Sequence, residues 1–227
     1  LFKTFGYEAA IEALSQSLAL DKEHQQSFYY LGLSYKNIQD YEKAIMNFKS
    51  ATELNNDDFY AYIELGKSYF ESNQFQQALT PFNDVINIKE SDEVKGDANY
   101  YLGLSYFKLA QYSEGIEAFS SAVNIDDSVF EYHFNLGLSY LKISEVDAQN
   151  PEYEKAVAAM EYSFIINSCY ETGYLECADL CMNMCRYAEA LSIFKEYVHQ
   201  FGTNSDILLL MAQCQAKLGD HTSAKLN

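Results

Sequence analysis

The pentapeptide Leu31-Gly32-Leu33-Ser34-Tyr35 decides the fold, because it does not occur only once. It returns unchanged at 102–106 and at 136–140, with a relative at Leu65-Gly66-Lys67-Ser68-Tyr69. Nine residues after the Tyr comes a small residue, and four further on an aromatic. In the first copy these are Ala44 and Phe48, followed by Ala51; the second has Ala78, Phe82 and Val85, and the third Gly115, Phe119 and Ala122. Self-similarity at a fixed period is the signature of stacked supersecondary units, none of which buries its apolar face alone.

Aligned on this pattern, repeats start at Gln25, Phe59, Gly96, Phe130, Glu171 and Ser205. The boundaries expected are 1–24 (the second helix of an incomplete first repeat), 25–58, 59–95, 96–129, 130–170, a divergent 171–204, and an incomplete 205–227. Each repeat reads as two helices. Phe28, Leu31, Gly32 and Tyr35 recur at helical spacing in the first, and Ala44, Phe48 and Ala51 share one face of the second. Polar breaks at Gln39-Asp40 and Asn73 separate the two. Asp57-Asp58, Asp126-Asp127-Ser128 and Asn204-Ser205 precede first helices and suit their N-caps. Extra residues fall in Lys89–Gly96, between repeats, and in Ile143–Pro151, a loop between the helices of the fourth. The expected fold is all-α, a superhelix of antiparallel helix pairs.

Composition narrows the function. Of 227 residues, 33 are acidic and 15 are Lys or Arg, a formal net charge of −18, which repels a phosphate backbone and excludes a nucleic-acid partner. With 48% hydrophobic residues, 20 Tyr and 15 Phe, the chain has the apolar mass to fold. No stretch is long and apolar enough to insert in a membrane. Five cysteines, at 169, 177, 181, 185 and 214, make no even framework; Cys177, Cys181 and Cys185 step by four along one expected helix face. Reduced thiols and the lack of a visible signal point to the cytoplasm. The cysteines read as small buried hydrophobes and not as metal ligands, and His133 as a substitute for an aromatic. Phosphate-loop, dinucleotide, serine-hydrolase and His-Glu-x2-His patterns are all absent, so neither catalysis nor a cofactor is expected.

The repeat resembles the tetratricopeptide repeat (TPR). The family pattern, Trp-x2-Leu-Gly-x2-Tyr followed by Ala, Phe and Ala, is met by Phe28, Leu31, Gly32, Tyr35, Ala44, Phe48 and Ala51. It is met again by Tyr62, Leu65, Gly66, Tyr69, Ala78 and Phe82. The chain has no Trp, and the fifth repeat carries Cys177, Ala178 and Cys181 in the Leu, Gly and Tyr places. The resemblance implies a scaffold that binds protein, with positions 2, 5, 9, 12 and 13 of each first helix lining a concave groove.

At positions 5, 9 and 12 the four central repeats place Tyr29, Leu33 and Lys36; Ile63, Lys67 and Phe70; Tyr100, Leu104 and Phe107; and Phe134, Leu138 and Leu141. All of these but Lys36 are the expected partner-binding residues. The Lys and Asn that clamp chaperone C-termini in one TPR subset are absent at positions 5 and 9. An apolar floor under an acidic rim suits a hydrophobic or amphipathic peptide with basic flanks. Both ends cut through a repeat, so a longer parent is expected. Two alternatives follow: a targeting or regulatory arm of a larger enzyme, and an oligomerisation element associating through its ends.

Overall fold

The computed structural model describes residues 2–88, 92–144 and 152–224. Residues 89–91 and 145–151, which hold part of the first expected insertion and most of the second, and 225–227 lie outside the described residues. Every described element is a helix. The chain divides into two compact units, Leu1–Asp126 and Asp127–Asn227. The first holds α1 (Phe2–Leu20), α2 (Gln25–Asn37), α3 (Tyr41–Leu54), α4 (Phe59–Glu71), α5 (Phe75–Asn87), α6 (Asp92–Lys108) and α7 (Tyr112–Ile125). The second holds α8 (Phe130–Ser144), α9 (Glu152–Ile166), α10 (Glu171–Asn183), α11 (Tyr187–Phe201) and α12 (Ser205–Ala224).

One turn is used four times. After α2, α4, α6 and α10 the chain takes a positive φ at Gln39, Asn73, Ala110 and Cys185. The next amide reaches back to the carbonyl of Tyr35, Tyr69, Tyr106 or Cys181 at 2.8–2.9 Å, while the left-handed residue's own N–H bonds the carbonyl three residues earlier. These paired bonds satisfy carbonyls that a helix end would otherwise orphan. In the first copy the residue that closes the turn also opens the next helix: the Asp40 carboxylate accepts from the Lys43 N–H at 3.2 Å.

Packing within each pair rests on the close approach the pentapeptide permits. Gly32, Gly66 and Gly103 lie against the rings of Phe48, Phe82 and Phe119, all three fully buried. Gly137 meets Met160 in the same way. The serine of the motif is explained by burial too: Ser34, Ser68, Ser105 and Ser139 each donate Oγ–H to the carbonyl four residues back, at 2.7–2.8 Å. The core of the second unit collects Phe134, Met160, Phe164, Tyr174, Cys177, Cys181 and Phe194.

Three expectations are corrected. Helix α6 begins at Asp92, not Gly96, so part of the first insertion lengthens a helix. Cys185 is off the expected cysteine face, because α10 stops at Asn183 and Cys185 is the left-handed residue of the turn. The final repeat does not break into two helices. Helix α12 runs unbroken through Gly219 to Ala224, each added helical residue adding a hydrogen bond.

Candidate partner-binding surfaces

In the first unit, the side chains at positions 5, 9 and 12 are shared between core and surface. Tyr29 and Tyr100 set their rings 5.9 Å from Phe48 and Phe119 of their own repeats, leaving part of each ring open. Phe70 and Phe107 do the same against Phe75 and Tyr112, at 5.3 Å each. Leu33, Lys67 and Leu104 are half-buried, whereas Ile63 is buried. In the second unit Phe134 is buried, its ring edge-on to Tyr170 at 5.2 Å, and Leu141 is fully buried; Leu138 is half-buried.

In the first unit, two of the expected residues line hollows. Tyr29, with Gln25, Gln26, Tyr30, Asp58 and Tyr60, surrounds a cavity of about 330 Å3. Leu33 belongs to a more open and strongly apolar one of about 570 Å3, walled by Tyr7, Ala10 and Leu14 of α1 and by Tyr30 and Asn37 of α2. Tyr30 joins the two and is 54% exposed; Tyr60 is 59% exposed. Neither was singled out in the sequence. The available signal was position 2 of the repeat, where Tyr60 stands, and the tyrosine doublet Tyr29-Tyr30.

Charge crosses this surface. Lys36 of α2 reaches Glu64 at 2.9 Å and Glu71 at 3.3 Å, both on α4. Burial by itself would lower the Lys36 ammonium, but the hydrogen bond to Glu64 and the two carboxylate charges outweigh it and hold its pKa above the usual value. Lys67 Nζ sits 4.8 Å over the Tyr101 ring, a cation–π contact. The Tyr29 phenol is pushed up to about 12, by burial first and then by the charges of Glu64 and Asp58. Among the first-helix positions of this unit, the apolar floor expected from sequence is therefore interrupted by an ion-paired bridge between α2 and α4.

Elsewhere the chemistry is structural. The His133 Nε2–H donates to the Asp127 carbonyl at 3.0 Å, and the ring lies 4.6 Å from that of Tyr162. Cys177, Cys181 and Cys214 are buried, Cys169 and Cys185 exposed, and none of the five is in a disulfide. Among the described residues no group of His, Cys, Asp or Glu is placed to hold a metal ion. No described helix is long and apolar enough to cross a membrane.

Tetratricopeptide-repeat sequence profiles match the chain at residues 34–72, 97–126 and 176–226, described as "TPR repeat" for the first and "Tetratricopeptide repeat" for the others. No curated protein matches it in sequence. Among solved structures, MamA from Desulfovibrio magneticus RS-1 is similar at 24% identity and a TM-score of 0.63, over 72% of this chain and 87% of that one. Another MamA structure shares 19% identity at a TM-score of 0.68, over 79% and 92% of the two chains. YrrB, described as a TPR protein with an unusual peptide-binding site, shares 16% identity at a TM-score of 0.66, over 91% and 99%. At these identities the likeness is one of fold. The three matches take in the left-handed turns at Gln39, Ala110 and Cys185 and the Gly103–Phe119 pair, and the chain belongs to the tetratricopeptide repeat family.

Proposed function

We propose that this chain is a protein-interaction scaffold whose first-helix surface takes an apolar or amphipathic peptide segment flanked by Lys or Arg. The observation that carries the reading is the pair of hollows in the first unit joined by Tyr30, lined by Tyr29, Leu33 and Tyr60. Aromatic rings with polar tips and little rotamer entropy make effective contact groups. Asp58 at the rim and Glu64 beside Tyr29 supply the negative field that favours basic flanks. Further along the first unit, Lys67, Phe70, Tyr100, Leu104 and Phe107 extend the surface over the buried Ile63. In the second unit, taken by itself, Leu138 is the contact residue over the buried Phe134 and Leu141. The boundaries at Gln25, Phe59, Gly96, Phe130, Glu171 and Ser205 belong to this reading, since they define which side chains face the ligand. Nothing in it calls for catalysis, and five cysteines outside any disulfide suit a reducing cytoplasm. YrrB's description as a peptide binder supports it.

The test is affinity capture from a native extract with the full chain and with Tyr30→Ala/Tyr60→Ala. Both side chains are more than half exposed, so the variant keeps its fold. Proteins recovered by the wild type and lost from the variant are expected. Identical recoveries, with circular dichroism unchanged, would remove the first-helix surface as the binding site.

A further inference from the structure

The second unit carries a trough on different helices, floored by α10 and walled by the second helices α9 and α11. It consists of two adjoining hollows, of about 240 and 410 Å3. Both are lined by Glu161 and Phe164 of α9 and by Ser192 and Ile193 of α11. From that shared middle the smaller hollow extends to Val157 and Ala188, and the larger to Ile165 and Glu196. On each wall the step from one hollow to the next is therefore one helical turn, or about 6 Å. Two large apolar side chains at i and i+4 on a ligand helix have that same spacing.

The floor is apolar, with Leu141, Met160, Cys177 and Cys181 under the smaller hollow and Tyr174 under the larger. At the lip, Ile165 is 77% exposed. The charge lining the trough has one sign: Glu161, Glu189 and Glu196 line it, Glu189 being paired at 3.7 Å with Arg186, which does not line it, and none of the described lining residues is Lys, Arg or His. Their field reaches the floor. The Tyr174 phenol is raised by burial and then by Glu196. The Cys177 thiol is raised by its hydrogen bond to Cys181, then by burial, and also by Glu161. Water in such a trough faces apolar floor below and carboxylates at the edge, and a ligand that is apolar along one stripe and cationic on either side satisfies both.

From this geometry we infer that the α9–α11 trough docks a basic amphipathic helix of a partner protein, with two large apolar side chains one turn apart in the two hollows and Lys or Arg against Glu161 and Glu196. This site is separate in its residues from the first-helix surface of the first unit, and it stands or falls independently of that surface. The spacing selects a helix because both walls shift by one turn between the hollows. The single-signed lining selects a basic partner over this chain itself, whose net charge is −18.

The experiment uses the full chain and a fluorescein-labelled Ala/Lys helix bearing two Leu residues at i and i+4. Two control peptides replace the Leu pair with Ser, or every Lys with Glu. Ser192→Arg puts a cation and bulk into the shared middle from an exposed position, and Glu161→Gln/Glu196→Gln removes charge without changing shape. Fluorescence anisotropy is expected to show saturable binding of the Lys/Leu peptide, weakened by salt. Both control peptides should fail to bind. Ser192→Arg should lose at least about tenfold in affinity and the double Gln variant several-fold. Tyr30→Ala/Tyr60→Ala should bind as the wild type does. No binding by the wild type, unchanged affinity in Ser192→Arg, or equal loss in the Tyr30/Tyr60 variant would each overturn the inference. So would a concentration-dependent dimer in sedimentation that Ser192→Arg abolishes, because the occupant would then be a second copy.

Discussion

A Cβ atom added to Gly66 would stand 2.6 Å from Cε1 of the Phe82 ring, and the same relationship joins Gly32 to Phe48. Real carbon atoms do not approach so closely, and both rings are fully buried, so neither can turn aside without moving its helix. Alanine gains close to 1 kcal/mol of helix propensity over glycine at such a position, but overpacking outweighs it. Gly66→Ala is expected to destabilise the chain by about 1–3 kcal/mol in a denaturant titration. Adding Phe82→Leu should recover part of that loss, because the smaller side chain gives the new methyl room. A double variant no better than the sum of the two single changes would show that the pair is not coupled.

Ala110 holds a left-handed conformation at φ 58°, in a place where Gln39, Asn73 and Cys185 do the same. Alanine is poorly suited to that region, since its Cβ crowds the following carbonyl. Ala110→Gly removes the crowding and is expected to raise stability by about 0.5–1 kcal/mol, the gain being offset in part by the freer unfolded chain. A thermal midpoint at or below the wild type would refute the strain at this turn.

Helix α7 begins after Gln111, whose side chain makes no capping bond, although its backbone angles nearly equal those of Asp40, which does cap α3. Gln111→Asp should therefore add a cap worth about 1 kcal/mol. The reverse change, Asp58→Ala, removes an acceptor that holds the Ala61 N–H at 3.1 Å and also takes a bond from Gln25. It should cost about 1 kcal/mol or somewhat more. Paired chemical denaturation of the two variants, with opposite shifts of midpoint and unchanged slope, is the expected record.

Tyr29 gives the first unit an alkaline sensitivity. Its phenol titrates near 10 when solvated but is pushed up to about 12 in the fold, by burial and by the carboxylates of Glu64 and Asp58. The folded state thus holds this proton more tightly than the unfolded state, so the associated stabilisation is complete below pH 10. It is lost as the pH climbs towards about 12. Tyr29→Phe should flatten the fall of stability over that window and delete a late-titrating tyrosinate signal. An unaltered absorbance titration would contradict the assignment.

Much of the local architecture was legible because it depends on residue type at fixed spacing. A glycine three residues before a tyrosine, with a phenylalanine sixteen residues beyond that glycine, describes Gly32, Tyr35 and Phe48 as a packed helix crossing, and the packing agrees. What misled were positions where side-chain identity carries no signal. Cys177, Cys181 and Cys185 step by four in sequence, yet the left-handed turn takes Cys185 off the helix, and only its alignment with Gln39 and Asn73 reveals this.

The sequence by itself determined the repeat, the family and the helix-pair architecture, because period, small residues and aromatic spacing are properties of the chain alone. Only the tertiary structure decided which apolar side chains remain available to a partner. Tyr29 and Phe134 occupy the same repeat position, yet Tyr29 keeps an open edge while Phe134 is enclosed by Phe164 and Tyr170. Exposure is set by what a neighbouring helix brings up against a residue, and the trough between α9 and α11 exists through such a placement. No spacing along one helix encodes the gap between two.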